Sequence, residues 1–149
     1  MAEYHAFTLN PGRKLTRLKT NALVLSDVRD TTTTCTPKMW NAIWDTGATK
    51  TCITKRIADD LSLIPIGRAT ISTANGIITT NTYSVHIGLP NGVTIQNILV
   101  SCANLGADTD ILIGMDIITL GDFSITNVNG STVFSFRIPS VEEVDFQKA

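Results

Sequence analysis

Three Asn-Gly pairs, at residues 75–76, 91–92 and 129–130, decide most of what this chain can fold into. Each separates two runs rich in β-branched, aromatic or alternating apolar residues. Asn and Gly both tolerate positive φ, which the tightest hairpin turns demand, so the pair between such runs is the strongest short hairpin signal. The first joins Ala69–Thr73 to Ile77–Tyr83. The second follows Pro90 and joins Tyr83–Leu89 to Val93–Val100, and the third joins Phe123–Val128 to Ser131–Ile138. Val85, Ile87 and Leu89 alternate, as do Val93 and Ile95, which places each set on one face of a sheet. Asn21–Val28, Met39–Trp44 and Asp110–Gly114 read as further strands, and Arg29–Thr36, with its run of threonines, as a loop or ragged hairpin. Helical pattern is confined to two segments. In Thr54–Leu63, Ile57 and Leu61 share a face until Pro65 and Gly67 stop it, and Met115–Leu120 is closed by Gly121. The expectation is an all-β fold with one or two short helices.

A chain of 149 residues is long enough for one domain with its own core. With 43% hydrophobic and 17% charged residues it is not a disordered chain. A net charge of −1 gives no global field that would recruit nucleic acid or an anionic membrane; the one local bias is Arg13, Lys14, Arg17 and Lys19. Cys35, Cys52 and Cys102 cannot all pair within one chain and form no Cys-x-x-Cys, so they read as free, mostly buried thiols of a reducing compartment. The start of the chain lacks the basic and apolar regions of a secretory signal, and no apolar run approaches the roughly 20 residues of a membrane span. A cytoplasmic domain is expected. His5 and His86 stand without the companions a metal site needs, and Cys52 or Cys102 with His86 has no local signature of a thiol protease. No metal or cofactor is expected.

The informative segment is Ile43-Trp44-Asp45-Thr46-Gly47-Ala48-Thr49. It places a carboxylate where an apolar strand runs into a tight turn, with a glycine that lets backbone approach the side chain closely. Asp-Thr-Gly alone is three letters and fits an ordinary Asp-capped turn. About 65 residues downstream, however, Leu112-Ile113-Gly114 precedes a short helix, and the Asn75-Gly76 hairpin lies between the two. This order resembles the retropepsin-like aspartic proteases, single-domain relatives of pepsin and of the retroviral proteases. The resemblance runs from about Asn21 to Pro139, which leaves residues 1–20 as an N-terminal segment, 21–139 as the protease domain and 140–149 as a tail.

The resemblance implies a closed β-barrel or sandwich with a flap hairpin, and an endopeptidase that acts as a homodimer on peptide or protein substrate. Asp45 takes the catalytic place. Thr46 matches the residue whose hydroxyl bonds across to the partner's loop, and Gly47 the one whose N–H orients the carboxylate. Ala48, Thr49, the hairpin tip Thr73, Ala74, Asn75, Gly76 and Ile77, and the pair Leu112 and Ile113 fall where relatives contact substrate, although core packing suits Leu112 and Ile113 equally well. Ser131–Ile138 is the terminal run that would add to the dimer contact. Ala48 carries no hydroxyl where pepsin-like enzymes often have Ser or Thr, so the ionised pair lacks one donor and an optimum less acidic than theirs is implied. Many retroviral enzymes pair an Asp at the place of Thr49 with an Arg at that of Met115; here both charges are absent together, so neither is left unpaired. Asp110 and Asp116 read as caps of turns or of the helix. The competing reading is a non-proteolytic module of the same fold that dimerises or binds extended peptides.

Overall fold

The computed structural model describes residues 3–27 and 38–148. The Arg29–Thr36 segment and Cys35 lie outside the described residues. Ten strands and two short helices follow one another as β1 (His5–Leu9), β2 (Lys19–Ser26), β3 (Met39–Trp44), β4 (Cys52–Ile53), α1 (Lys55–Asp60), β5 (Gly67–Thr73), β6 (Gly76–Gly88), β7 (Thr94–Cys102), β8 (Ile111–Ile113), α2 (Met115–Ile118), β9 (Asp122–Thr126) and β10 (Val133–Ile138). The all-β expectation holds.

Seven strands lie in the order β2-β3-β8-β4-β7-β6-β5, and β2 also pairs with β6 through Leu23–Ser26 and Val85–Gly88. That extra pairing closes a six-stranded barrel, which removes the edges a sheet would otherwise expose. Only β5 lies outside the ring. It pairs with the first half of β6, so the 13-residue β6 belongs to the barrel at one end and to a projecting hairpin at the other. The sequence had divided this run in two at Tyr83. The inward residues Ala22, Val24, Ala42, Ile53, Val85, Ile87, Val100, Ile111 and Ile113 are buried and fill the barrel.

The second sheet has the order β1-β10-β9. Its first strand falls inside the stretch read as an N-terminal segment, where no strand was expected. His5–Leu9 pairs residue for residue with Phe134–Ile138. Phe7, Phe123, Phe134 and Phe136 turn one face of this sheet onto Trp44, with ring centroids 4.9–6.5 Å from it. The Trp44 indole N–H donates to Thr20 Oγ1 at 2.9 Å. An aromatic wedge therefore buttresses the residue immediately before Asp45.

Two details differ from expectation. At the first Asn-Gly pair the loop residues are Ala74 and Asn75, since Thr73 faces Gly76 in register, and only Gly76 takes positive φ (116°). The turn is held from the side, by the Thr73 hydroxyl donating to Gly76 O at 2.8 Å and accepting Asn75 N–H at 3.3 Å, so Asn75 need not enter the left-handed region. The thiols of Cys52 and Cys102 are half-buried rather than buried. Among the described residues no helix is long and apolar enough to cross a membrane.

After Pro139 the tail is hooked back onto the second sheet. The Asp122 carboxylate accepts the Ser140 hydroxyl, the Val141 N–H at 2.9 Å and the Arg137 Nε–H at 2.8 Å. Led by the Ser140 bond, these donors hold its carboxyl well below the usual carboxylate range. A carboxyl depressed by folding stabilises the fold above its unfolded value, about 3.9, and that stabilisation is lost as pH falls through the folded value. Asp122→Asn is therefore expected to release the tail at neutral pH, read as faster amide exchange at Val141 and Glu142, while wild type keeps its protection down to pH 4. Unchanged exchange in the variant would contradict this anchoring.

Candidate active site

Asp45 follows the last residue of β3 because the strand's hydrogen-bonding partner ends there too. β3 runs parallel to β8, with Trp44 opposite Ile113, and the Asp45 N–H donates to Ile113 O at 2.9 Å. The chain then turns: Ala48 N–H donates to Asp45 O at 3.2 Å, and Gly47 N–H donates to Asp45 Oδ1 at 2.7 Å. That short, charge-assisted bond aims the carboxylate. A Cβ on Gly47 would stand 3.1 Å from Oδ1, so glycine permits the approach. Asp45 and Ala48 are half-buried, whereas Thr46, Gly47 and Thr49 are exposed on the turn.

Two residues that the sequence left without this role pin the turn. Thr51 is fully buried, and its N–H and hydroxyl both donate to the Asp116 carboxylate, at 2.9 and 2.7 Å. The same hydroxyl accepts the Gly114 N–H at 3.2 Å, and Met115 N–H donates to Ala48 O at 2.8 Å. Asp116 thus ties the start of α2 to the far side of the Asp45 loop, rather than serving only the helix; its bond to Ile117 N–H, at 3.0 Å, is a secondary use. The sequence carried no signal for this pair, because a single threonine does not announce its burial. Asp110 was expected to cap a turn or the helix; its carboxylate instead ties distant elements, accepting Asn41 N–H of β3 and the Arg56 guanidinium of α1.

Gly114 is where the two motifs touch. Its φ of −100° suits any residue, but a Cβ there would stand 2.8 Å from Ala48 O and from the Lys50 carbonyl carbon. Both neighbours are backbone and cannot swing aside. Gly114→Ala is expected to displace the Asp45 loop while the barrel stays folded. Misplacement of about 1 Å costs roughly 100-fold in rate, so kcat/KM should fall by about that factor with cooperative unfolding retained. An unchanged rate would contradict the close approach.

The remaining candidates separate. Ile113 is fully buried, so its side chain packs the core and is not available to line a subsite; its contribution is the carbonyl that receives Asp45 N–H. Leu112 is half-buried. Ala74, Asn75, Gly76 and Ile77 form an exposed hairpin tip with Thr73 half-buried beneath, and Ile77 is 75% exposed. Among the described residues no hydrogen bond joins this tip to the Asp45 loop. Burial pushes both Cys52 and Cys102 thiols above their ordinary values, and His86 Nδ1 already accepts Asn97 N–H at 3.0 Å, so a Cys–His nucleophile has no support.

Comparison with known proteins identifies the family and the fold. A family model described as "gag-polyprotein putative aspartyl protease" matches residues 33–120, more than half of the chain and both motifs. A retropepsin-like aspartic protease from Rickettsia conorii superposes with a TM-score of 0.56 at 18% identity, covering 91% of this chain and 96% of that one. The fold is therefore retropepsin-like. The EIAV protease complexed with the inhibitor HBY-793 is similar at 22% identity over 68% of this chain and 85% of that one, with a TM-score of 0.49. Simian foamy virus protease is similar at 21% identity over 66% and 89%, with a TM-score of 0.43. No curated protein matches the chain.

Proposed function

The chain belongs to the gag-polyprotein aspartyl protease family, and on that premise we propose that it is an aspartic endopeptidase that completes its active site as a homodimer. The observation that carries the reading is the Asp45 loop: one carboxylate, aimed by Gly47 N–H, on an exposed turn fastened to Ile113, Gly114 and Asp116. Gly47 occupies Oδ1, which leaves Oδ2 to meet water and a second acid. A second acid from within the chain is disfavoured, because Asp116 is committed to Thr51 and Asp110 to Arg56.

In a two-fold dimer the Asp45 loops meet at the axis, with Thr46 exposed to reach across. Two carboxyls a few ångströms apart cannot both ionise cheaply, so they share one proton and titrate as a unit. The ionised member takes a proton from water held between them, and that water attacks the scissile carbonyl. The protonated member donates to the developing oxyanion. The tetrahedral gem-diol then collapses as a proton passes to the leaving nitrogen. The β5–β6 hairpin supplies the flap, excluding water and offering backbone groups to an extended substrate.

Ser131–Ile138, the run expected to add to the dimer contact, cannot do so by edge pairing. β10 is the central strand of its sheet, with β1 on one side and β9 on the other, so it has no edge to offer a partner. β1 has the Asn91 amide on its His5 carbonyl. The outer edge of β9 makes no backbone hydrogen bond among the described residues, and Ile125 and Val128 beside it are 46% and 72% exposed. β9 is the edge we assign to the partner contact.

The testing experiment is cleavage of a mixed peptide library by purified protein from acid to neutral pH, with and without a pepsin-type transition-state mimic. Cleavage that the mimic blocks is expected. A folded protein that binds peptides and cleaves none at any pH would favour the non-proteolytic module instead.

A further inference from the structure

The basic residues near the start of the chain play no part in the site described so far. After β1 the loop to β2 folds against Thr132, whose N–H donates to Arg13 O and whose hydroxyl accepts Leu15 N–H. The result is a cleft of about 400 Å³ with Leu9, Pro11 and Leu15 as its apolar part and Arg13, Lys14 and Lys19 around it. Arg17, which also lines it, is paired with Asp108 at 3.0 Å. Among the described residues Arg13, Lys14 and Lys19 enter no ion pair.

The complementary chemistry lies in the tail, Val141-Glu142-Glu143-Val144-Asp145-Phe146. Val144 and Phe146 are 63% and 86% exposed; Glu143 has no ion pair among the described residues, whereas Glu142 is paired with Arg137 at 3.7 Å and Asp145 with Lys148 at 3.9 Å. Within one chain no tail residue lines the cleft. The tail leaves β10 beyond Ile138, whereas the cleft lies against Thr132 before its first residue. The strand between them spans roughly 17 Å at about 3.4 Å per residue. We propose that the cleft receives the acidic tail of a second copy of this chain. Phe146 and Val144 then cover the apolar part, Glu143 faces Arg13 and Lys14, Asp145 joins it by giving up its exposed pairing with Lys148, and reciprocal exchange gives two such contacts around one two-fold axis. The proposal rests on the homodimer reading above. It assigns a tail exchange to that dimer, in addition to the loops and the β9 edge.

Charge reversal in the 149-residue chain tests it, with association followed by sedimentation. The variants are a cleft reversal (Arg13→Glu with Lys14→Glu), a tail reversal (Glu143→Lys with Asp145→Lys) and the two combined. Each reversal alone should raise the dimer dissociation constant at least about tenfold, and the combination should return it to within about threefold of wild type. Reversals that leave association unchanged, or a combination that fails to restore it, would overturn the exchange. So would a labelled single-stranded oligonucleotide that binds wild type and not the cleft reversal while association is unaffected, since the cleft would then be a polyanion site. A wild type that dimerises and cleaves while the reversals change nothing removes only the tail exchange. A wild type that cleaves as a monomer removes the homodimer reading and the exchange with it.

Discussion

Asp45→Asn is expected to lower peptide cleavage at least about a thousandfold, because in the proposed homodimer one substitution removes both carboxyls and with them the general base and its acid partner. The change is nearly isosteric. The amide keeps an oxygen for the Gly47 N–H that Asp45 Oδ1 now accepts at 2.7 Å, so the loop has no reason to move. Dimer stability should be unchanged or higher, since like charge at the axis is removed. The check is kcat/KM alongside the dimer dissociation constant. Activity within tenfold of wild type would remove Asp45 from the catalytic role, whatever the dimer does.

Phe134→Ala is the largest stability effect expected. Phe134 is fully buried between Trp44, Phe7 and Phe123, at centroid separations of 5.3, 5.4 and 4.8 Å. Truncating such a ring loses its transfer free energy and leaves a cavity that the β-sheet around it cannot close. The cost is about 3–5 kcal/mol, a large share of a domain's 5–15 kcal/mol. The midpoint of urea unfolding should fall accordingly at constant slope. A loss below about 1 kcal/mol would mean that the second sheet does not brace the barrel as its aromatic contacts imply.

What the sequence made legible was local. The Asn-Gly pairs, the alternation of Val85, Ile87 and Leu89, and the Asp45 and Gly114 motifs each act within a few residues, and the hairpins and site loops stand where those signals put them. Non-local pairings were not legible. His5–Leu9 is five residues with two inward apolar side chains, and its partner β10 is more than 120 residues away, so nothing nearby marks it as a strand. Its insertion beside β10 also determines which edge of that sheet stays open, which is why the edge we assign to a partner lies on β9 and not on Ser131–Ile138. The Thr51–Asp116 bond spans 65 residues and joins two side chains that look unremarkable apart. Ile113 went the other way: in sequence its apolar side chain suits a subsite or the core equally well, and only the parallel pairing of β3 with β8 puts it inside. At the first hairpin the threonine before the turn, not the asparagine within it, carries the constraint.

In the proposed homodimer, one chain holds half of an active site. The most direct test is specific activity of wild type measured against protein concentration, with molecular mass determined on the same samples. Activity per chain should fall on dilution through the dimer dissociation constant, in step with the loss of dimer mass. Excess Asp45→Asn chains added to wild type should poison it, because exchanged dimers carry one carboxylate. A monomer that retains full activity well below any dimer signal would contradict the shared pair of Asp45 carboxyls.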